Sequence, residues 1–67
     1  MNASAEKNII LIMAALSAAI AAQAGILNAL TYIMPPDQAQ VKEQMARSAD
    51  NLKDLSNRLK ALVERYT

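Results

Sequence analysis

The feature that most constrains this chain is an uncharged run from Asn8 to Pro36, which ends at a Pro35-Pro36 pair and is followed by a charged segment. A bilayer is crossed by a helix of roughly 20 apolar residues. A helix that is apolar on every side has to be buried all round, either in protein or in lipid. The run therefore predicts a transmembrane-type helix, and we expect the rest of the chain to depend on how that helix is covered.

Composition narrows the class of protein. A chain of 67 residues forms at most one small domain, in a size range where a single core is marginal. The sequence has no cysteine and no histidine, which excludes disulfides, thiolate chemistry and the commonest metal ligands. The net charge of +1 comes from interspersed acidic and basic residues, and this argues against a nucleic-acid partner.

The sequence predicts an all-α chain in four segments. Residues 1–8 are expected to be a polar N-terminal tail, 9–34 a transmembrane helix, 35–36 a break, and 37–67 an amphipathic helix that ends at about Tyr66. Proline lacks the amide proton for an intrahelical bond and disfavours the helical conformation in the residue before it. Each helix would be roughly 40 Å long. We expect a bilayer crossing followed by a rod, in a helical oligomer or bundle.

The second helix carries a heptad pattern. Its a line consists of Met45, Leu52, Leu59 and Tyr66, and its d line of Val41, Ser48, Leu55 and Leu62. Alternating steps of four and three are typical of a left-handed coiled coil. The pattern predicts that this seam drives oligomerisation, or alternatively that an amphipathic helix lies on a complex or on a membrane surface. The small e residues Ala49 and Ser56 leave room for close approach of additional helices. Glu43 with Arg47 and Asp54 with Arg58 are expected to form favourable ion pairs.

The first helix has a face of small and polar residues, which we expect to be a helix-packing surface. Small faces allow the backbones of membrane helices to approach closely, and polar groups there can hydrogen-bond to the neighbouring helix. We expect Asn28 and Thr31 to do so. The face consists of Ala14, Ser17, Ala21, Ala24, Gly25, Asn28 and Thr31.

A secretory signal peptide is the alternative interpretation of the N-terminus. A signal peptide has a positively charged region, an apolar region and a cleavage site with small residues, in that order. The same order is present here in Lys7, the apolar run and Ala22-Gln23-Ala24. The apolar segment continues past that point through Ile33, so we expect an uncleaved signal-anchor and a single-pass membrane protein. Positive charges lie on both sides of the span, and its orientation stays open.

No set of residues in the sequence forms a reaction centre, so we expect no catalytic residue, no metal and no cofactor. The expected partners are the bilayer, further copies of the chain and larger membrane subunits. The first hypothesis is a non-enzymatic assembly or accessory subunit of a membrane complex. One span with Ser17, Asn28 and Thr31 on a polar face, followed by a charged C-terminal rod, resembles in architecture the single-span phage holins, which implies a pore. The third hypothesis is a subunit of a helical filament or secretion tube.

Overall fold

The computed structural model describes residues 3–67, and these residues form two helices and a short turn. Helix α1 spans Ala3–Ile33, a 3-10 turn spans Pro36–Gln38, and helix α2 spans Ala39–Tyr66. The expected all-α fold is confirmed, as are the break at the prolines and the end of the second helix at Tyr66. Met1 and Asn2 of the predicted polar tail lie outside the described residues. The remainder of that tail, residues 3–8, is continuous with the apolar helix.

The two prolines turn the chain. Pro35 has extended backbone angles, with φ −61° and ψ 149°, so it cannot continue α1. The amide of Gln38 donates a 3.0 Å hydrogen bond to the carbonyl of Pro35, and this closes the turn. Pro36 lies at the start of the 3-10 turn, where its missing N–H leaves no bond unmade.

Helix α2 folds back along α1 instead of extending away from it as a rod. The described chain measures 54 × 14 × 14 Å. At about 1.5 Å per residue, two helices of this length placed end to end would extend roughly 90 Å, whereas one helix alone accounts for most of the observed length. The protein is therefore an antiparallel helical hairpin. The difference from the expected rod arises because α2 has an apolar stripe, and α1 is the surface within the same chain that can cover it.

The hairpin closes along one seam. The less exposed residues recur at steps of three and four in both helices, as expected for helices that pack side by side. In α1, from Ile10 onward, they are Ile10, Met13, Ser17, Ile20, Ala24, Leu27 and Thr31, and Met34 just after the end of the helix continues the series. In α2 the seam consists of the a-line residues Met45, Leu52 and Leu59 together with the e-line residues Ala49, Ser56 and Val63.

Two surface ion pairs match the sequence expectation. The Arg47 Nη2 lies 2.7 Å from the Glu43 Oε1, and the Arg58 Nε lies 3.0 Å from the Asp54 Oδ2. In each pair the two residues are four positions apart, and both pairs are well exposed on the outer side of α2. Exposed pairs of this kind contribute about 0.3–0.5 kcal/mol each. They support the helix without deciding how it packs.

Candidate functional site: the hairpin seam and its two flanks

Ser17 and Ser56 form the polar centre of the seam. The Ser17 hydroxyl donates a 2.9 Å hydrogen bond to the Ser56 carbonyl, and the Ser56 hydroxyl donates a 2.9 Å hydrogen bond to the Ser17 carbonyl. The two Oγ atoms are 3.3 Å apart. Both residues are buried, and among the described residues no buried side-chain nitrogen or oxygen lacks a hydrogen-bond partner. A side-chain hydroxyl reaches the backbone of the opposite helix only where the two helices approach closely.

The same close approach continues one heptad toward the turn. Ala24 follows Ser17 by seven residues in α1, and Ala49 precedes Ser56 by seven residues in α2. Because the helices are antiparallel, Ala24 and Ala49 lie at the same height along the hairpin, one heptad closer to the turn than the serines. Ala24 and Ala49 are 7% and 5% exposed. Small side chains at both levels let the two backbones pack against each other with little between them.

Thr31 lies a further seven residues along α1 and is buried. Its hydroxyl donates a 2.6 Å hydrogen bond to the carbonyl of Asn28 in its own helix. Ser17 and Ser56 therefore link the two helices, whereas the Thr31 hydroxyl is hydrogen-bonded within α1.

The structure divides the predicted small face of α1 into two groups. Ser17, Ala24 and Thr31 lie in the seam. The other four residues, Ala14, Ala21, Gly25 and Asn28, are exposed beside it.

A shallow groove runs along this side of the hairpin, in two parts of ≈ 380 and ≈ 350 Å³. Its α1 wall contains the four exposed small-face residues, and its α2 wall contains Lys53, Asn57 and Lys60. We call this side the groove side. A Cβ built on Gly25 meets nothing within 4 Å beyond the adjacent part of its own helix, so the groove is open at this residue.

The opposite side of the hairpin carries large apolar residues. The d line of α2 flanks the seam there, and Val41, Leu55 and Leu62 are 43%, 45% and 37% exposed. At 100° per residue, Ile9 and Leu16 of α1 lie on the same side, and both are exposed. We call this side the ridge side, defined by Ile9, Leu16, Val41, Leu55 and Leu62.

The predicted heptad seam is thus shared between two surfaces. Met45, Leu52 and Leu59 of the a line face α1, while Val41, Ser48, Leu55 and Leu62 of the d line remain exposed. Tyr66, the last a residue, is exposed and lines a recess with Ile9, Ile10 and Met13 at the open end of the hairpin. Association of copies through the d line stays a prediction.

The e line is the part of the seam that sequence reasoning did not place against α1. Ala49 and Ser56 are small, unlike most residues of the neighbouring a and d lines, and Val63 follows at the same seven-residue spacing. A signal was present, because small residues recur every seven positions in both helices, at Ser17, Ala24 and Thr31 in α1. Matching the two series in antiparallel order would have found the contact.

The outer sides of the two helices differ in polarity. The outer side of α1 exposes Leu11, Ile12, Ile26 and Leu30, whose exposed fractions range from 38% to 59%. We call this surface the apolar crest. The outer side of α2 is charged and carries both ion pairs. The hairpin is therefore apolar along one edge and charged along the other.

Within residues 3–67, no group of three or more acidic, cysteine or histidine residues is placed to hold a metal ion. No family model, no curated protein and no solved structure matches this chain. One helix, Ala3–Ile33, is long and apolar enough to cross a membrane by length and composition, and it lies near the N-terminus. A signal sequence and the core helix of a soluble protein can have the same properties.

Proposed function

We propose that the protein is a non-enzymatic structural subunit of a multi-copy helical assembly, a filament or tube in which other copies cover the apolar crest and the charged side of α2 faces water. The observation that carries the proposal is the closed hairpin with one apolar edge and one charged edge. Such a subunit buries its apolar surface only by associating.

The closed hairpin argues against a simple membrane crossing. If α1 spanned a bilayer with α2 still beside it, the charges along α2 would enter the hydrocarbon region. Arg47, Asp54 and Arg58 lie on its outer side, where their side chains are well exposed. A charged group at the bilayer centre costs about 2.5–3.5 kcal/mol on insertion scales. Several such groups outweigh the gain from placing one apolar helix in lipid.

The exposed apolar area argues against an isolated hairpin. Only 11% of the most apolar 18-residue stretch of α1 is buried in the hairpin. Soluble monomers rarely expose a contiguous apolar patch larger than a few hundred Å². A surface that extends along the whole helix is typical of a protein that associates with something.

A second candidate function follows from the length of the apolar run. If α2 separated from α1, the helix Ala3–Ile33 could cross a bilayer, and α2 would be free to dock on a larger membrane protein. The chain would then be a single-pass accessory subunit. This alternative requires the loss of the Ser17 and Ser56 hydrogen bonds, whereas the assembly of closed hairpins keeps them.

A disulfide across the seam separates the two candidates. The chain has no cysteine of its own, and the Oγ atoms of Ser17 and Ser56 are 3.3 Å apart. The double variant Ser17→Cys with Ser56→Cys should therefore form one bond within the chain when oxidised. The reduced form of the same variant is the matched control.

The measurement is made on purified full-length chain, oxidised or reduced, by sedimentation and electron microscopy, and by carbonate extraction after addition to vesicles. We expect both forms to make large assemblies without detergent. A chain that stays monomeric in buffer, and that inserts into vesicles only when reduced, would overturn the proposal in favour of the accessory subunit.

A further inference from the structure

We infer that the two flanks of the hairpin are the two halves of one contact, in which the ridge side of one copy packs into the groove side of the next. This inference rests on the proposed function and specifies how its copies meet. The partner it names is a second copy of this chain, in the same orientation.

The first argument is shape. The groove side has small side chains on its α1 wall, at Ala14, Ala21 and Gly25, and it is open at Gly25. The ridge side presents Leu16, Leu55 and Leu62, which are large, apolar and exposed. Packing rows of large side chains of one helix into the grooves of another is the usual way that helices associate. Both halves of such a contact are present on every copy.

The second argument is the glycine. Gly25 is in the middle of α1, where glycine lowers helix stability relative to alanine. No packing contact among the described residues requires it, because an added Cβ meets nothing within 4 Å beyond the adjacent part of its own helix. A glycine on an open helix surface permits close approach of a neighbour. Its place in the groove points to a contact from outside the hairpin.

The third argument is charge. On the groove side of α2, the heptad position that lies farthest from α1 is occupied by the acidic residues Glu43, Asp50 and Glu64. On the ridge side of α2, the corresponding heptad position is occupied by Arg58 and Arg65 and by no acidic residue. Lys53 and Lys60 lie one step closer to α1, and they line the groove together with Asp50. When copies stand side by side, the arginine line of one faces the acidic line of the next, and such complementarity favours a defined orientation.

The orientation follows from the polarity of the two edges. A copy turned end over end can present its ridge to the groove only by placing its charged edge beside the apolar crest of its neighbour. A copy in the same orientation places crest beside crest and charged edge beside charged edge. The contact is therefore heterologous, and it repeats into a ring or an open helical array. All the crests then lie on one surface of that array.

The test uses two full-length variants that each damage one half of the contact. Gly25→Leu fills the groove and leaves the ridge intact. Leu55→Lys places on the ridge a positive charge, which would face Lys53 and Lys60 of the neighbouring groove, and it leaves the variant's own groove intact. Both positions are exposed in the hairpin, so both variants should fold, which circular dichroism checks. Ala61→Leu, on the outer side of α2, is the control for added bulk.

We expect each of the two variants to raise the concentration at which half of the chains assemble by roughly tenfold or more, and the control to leave it near the wild-type value. An equimolar mixture of the two variants should form dimers, because it contains one intact ridge and one intact groove. Analytical ultracentrifugation measures all of these species.

Three results would overturn the inference. Wild-type assembly that neither variant weakens would leave the proposed function standing and exclude this contact. Variants that weaken assembly but form no mixed dimer would indicate a contact of like with like. Wild-type chain that does not assemble, and that instead associates with phosphatidylcholine vesicles, would overturn both the inference and the proposed function.

Discussion

Ser17 and Ser56 exchange hydrogen bonds across the hairpin, each hydroxyl donating to the backbone carbonyl of the other residue at 2.9 Å. The relationship is symmetric, although the two residues lie on helices of very different polarity. It fixes the antiparallel register of the seam, because a shift of either helix along its axis would separate both pairs of atoms.

This relationship predicts how two alanine variants combine. Ser17→Ala removes one hydroxyl donor but keeps the carbonyl that Ser56 uses, and the reverse holds for Ser56→Ala. We expect each variant to lower the free energy of unfolding by about 1 kcal/mol, and the double variant by about twice that. Urea denaturation, followed by circular dichroism at a concentration where the hairpin is not assembled, measures these values. A coupling energy above about 1 kcal/mol would show that the two hydroxyls interact mainly with each other.

The close approach of the helices predicts a contrast between two alanines of α2. Ala49 is 5% exposed in the seam, and Ala61 is exposed on the outer side. Ala49→Leu should push the helices apart and cost about 1–3 kcal/mol of stability. Ala61→Leu should change stability by less than about 0.5 kcal/mol. Equal effects in thermal unfolding would contradict the observed seam.

Gly25 predicts a substitution that stabilises the hairpin. A Cβ at this position has open space around it, so Gly25→Ala gains helix stability without a clash. We expect the unassembled hairpin to gain about 0.5–1 kcal/mol in its free energy of unfolding. A loss of stability in the unassembled hairpin would mean that α1 is not a regular helix at this position.

The two prolines predict a change of topology. In Pro35→Ala with Pro36→Ala, the helix can continue through the turn, since a proline in a helix interior costs about 3 kcal/mol and alanine costs nothing. A continuous helix separates the two halves of the seam, and two chains can then pair with each other. Added to the cysteine pair at 17 and 56, the change should convert the disulfide within the chain to one between chains, which a non-reducing gel shows.

Pro36→Ala alone is the control for that experiment. Pro35 still interrupts the helix in this variant, because its backbone is extended and it has no amide proton to donate. We expect the disulfide to remain within the chain. A bond between chains in the single variant would show that Pro35 alone is not sufficient to hold the turn.

The sequence by itself determined the two helices, the break between them and the end of the second helix, but not the start of the first, which begins at Ala3. The uncharged run, the proline pair and the 3.5-residue repeat each depend on local chemistry, so an apolar helix, a break at Pro35 and an amphipathic helix to Tyr66 could be predicted from them. The two ion pairs also follow from local spacing along one helix. Residues such as Met45 and Leu52 could be placed on the apolar side of α2 for the same reason.

Only the tertiary structure decided which side of each helix is used within the chain. The a line of α2 can pack against α1 together with either the d line or the e line. Sequence spacing alone favours the d line, because its residues are larger. The hairpin instead uses Ala49 and Ser56, because small residues opposite Ser17 and Ala24 allow the backbones to approach and the serine hydroxyls to reach the facing carbonyls. That choice leaves Leu55 and Leu62 exposed on one flank and Gly25 on the other. It depends on the relative register of two distant segments, which no local pattern in either segment specifies.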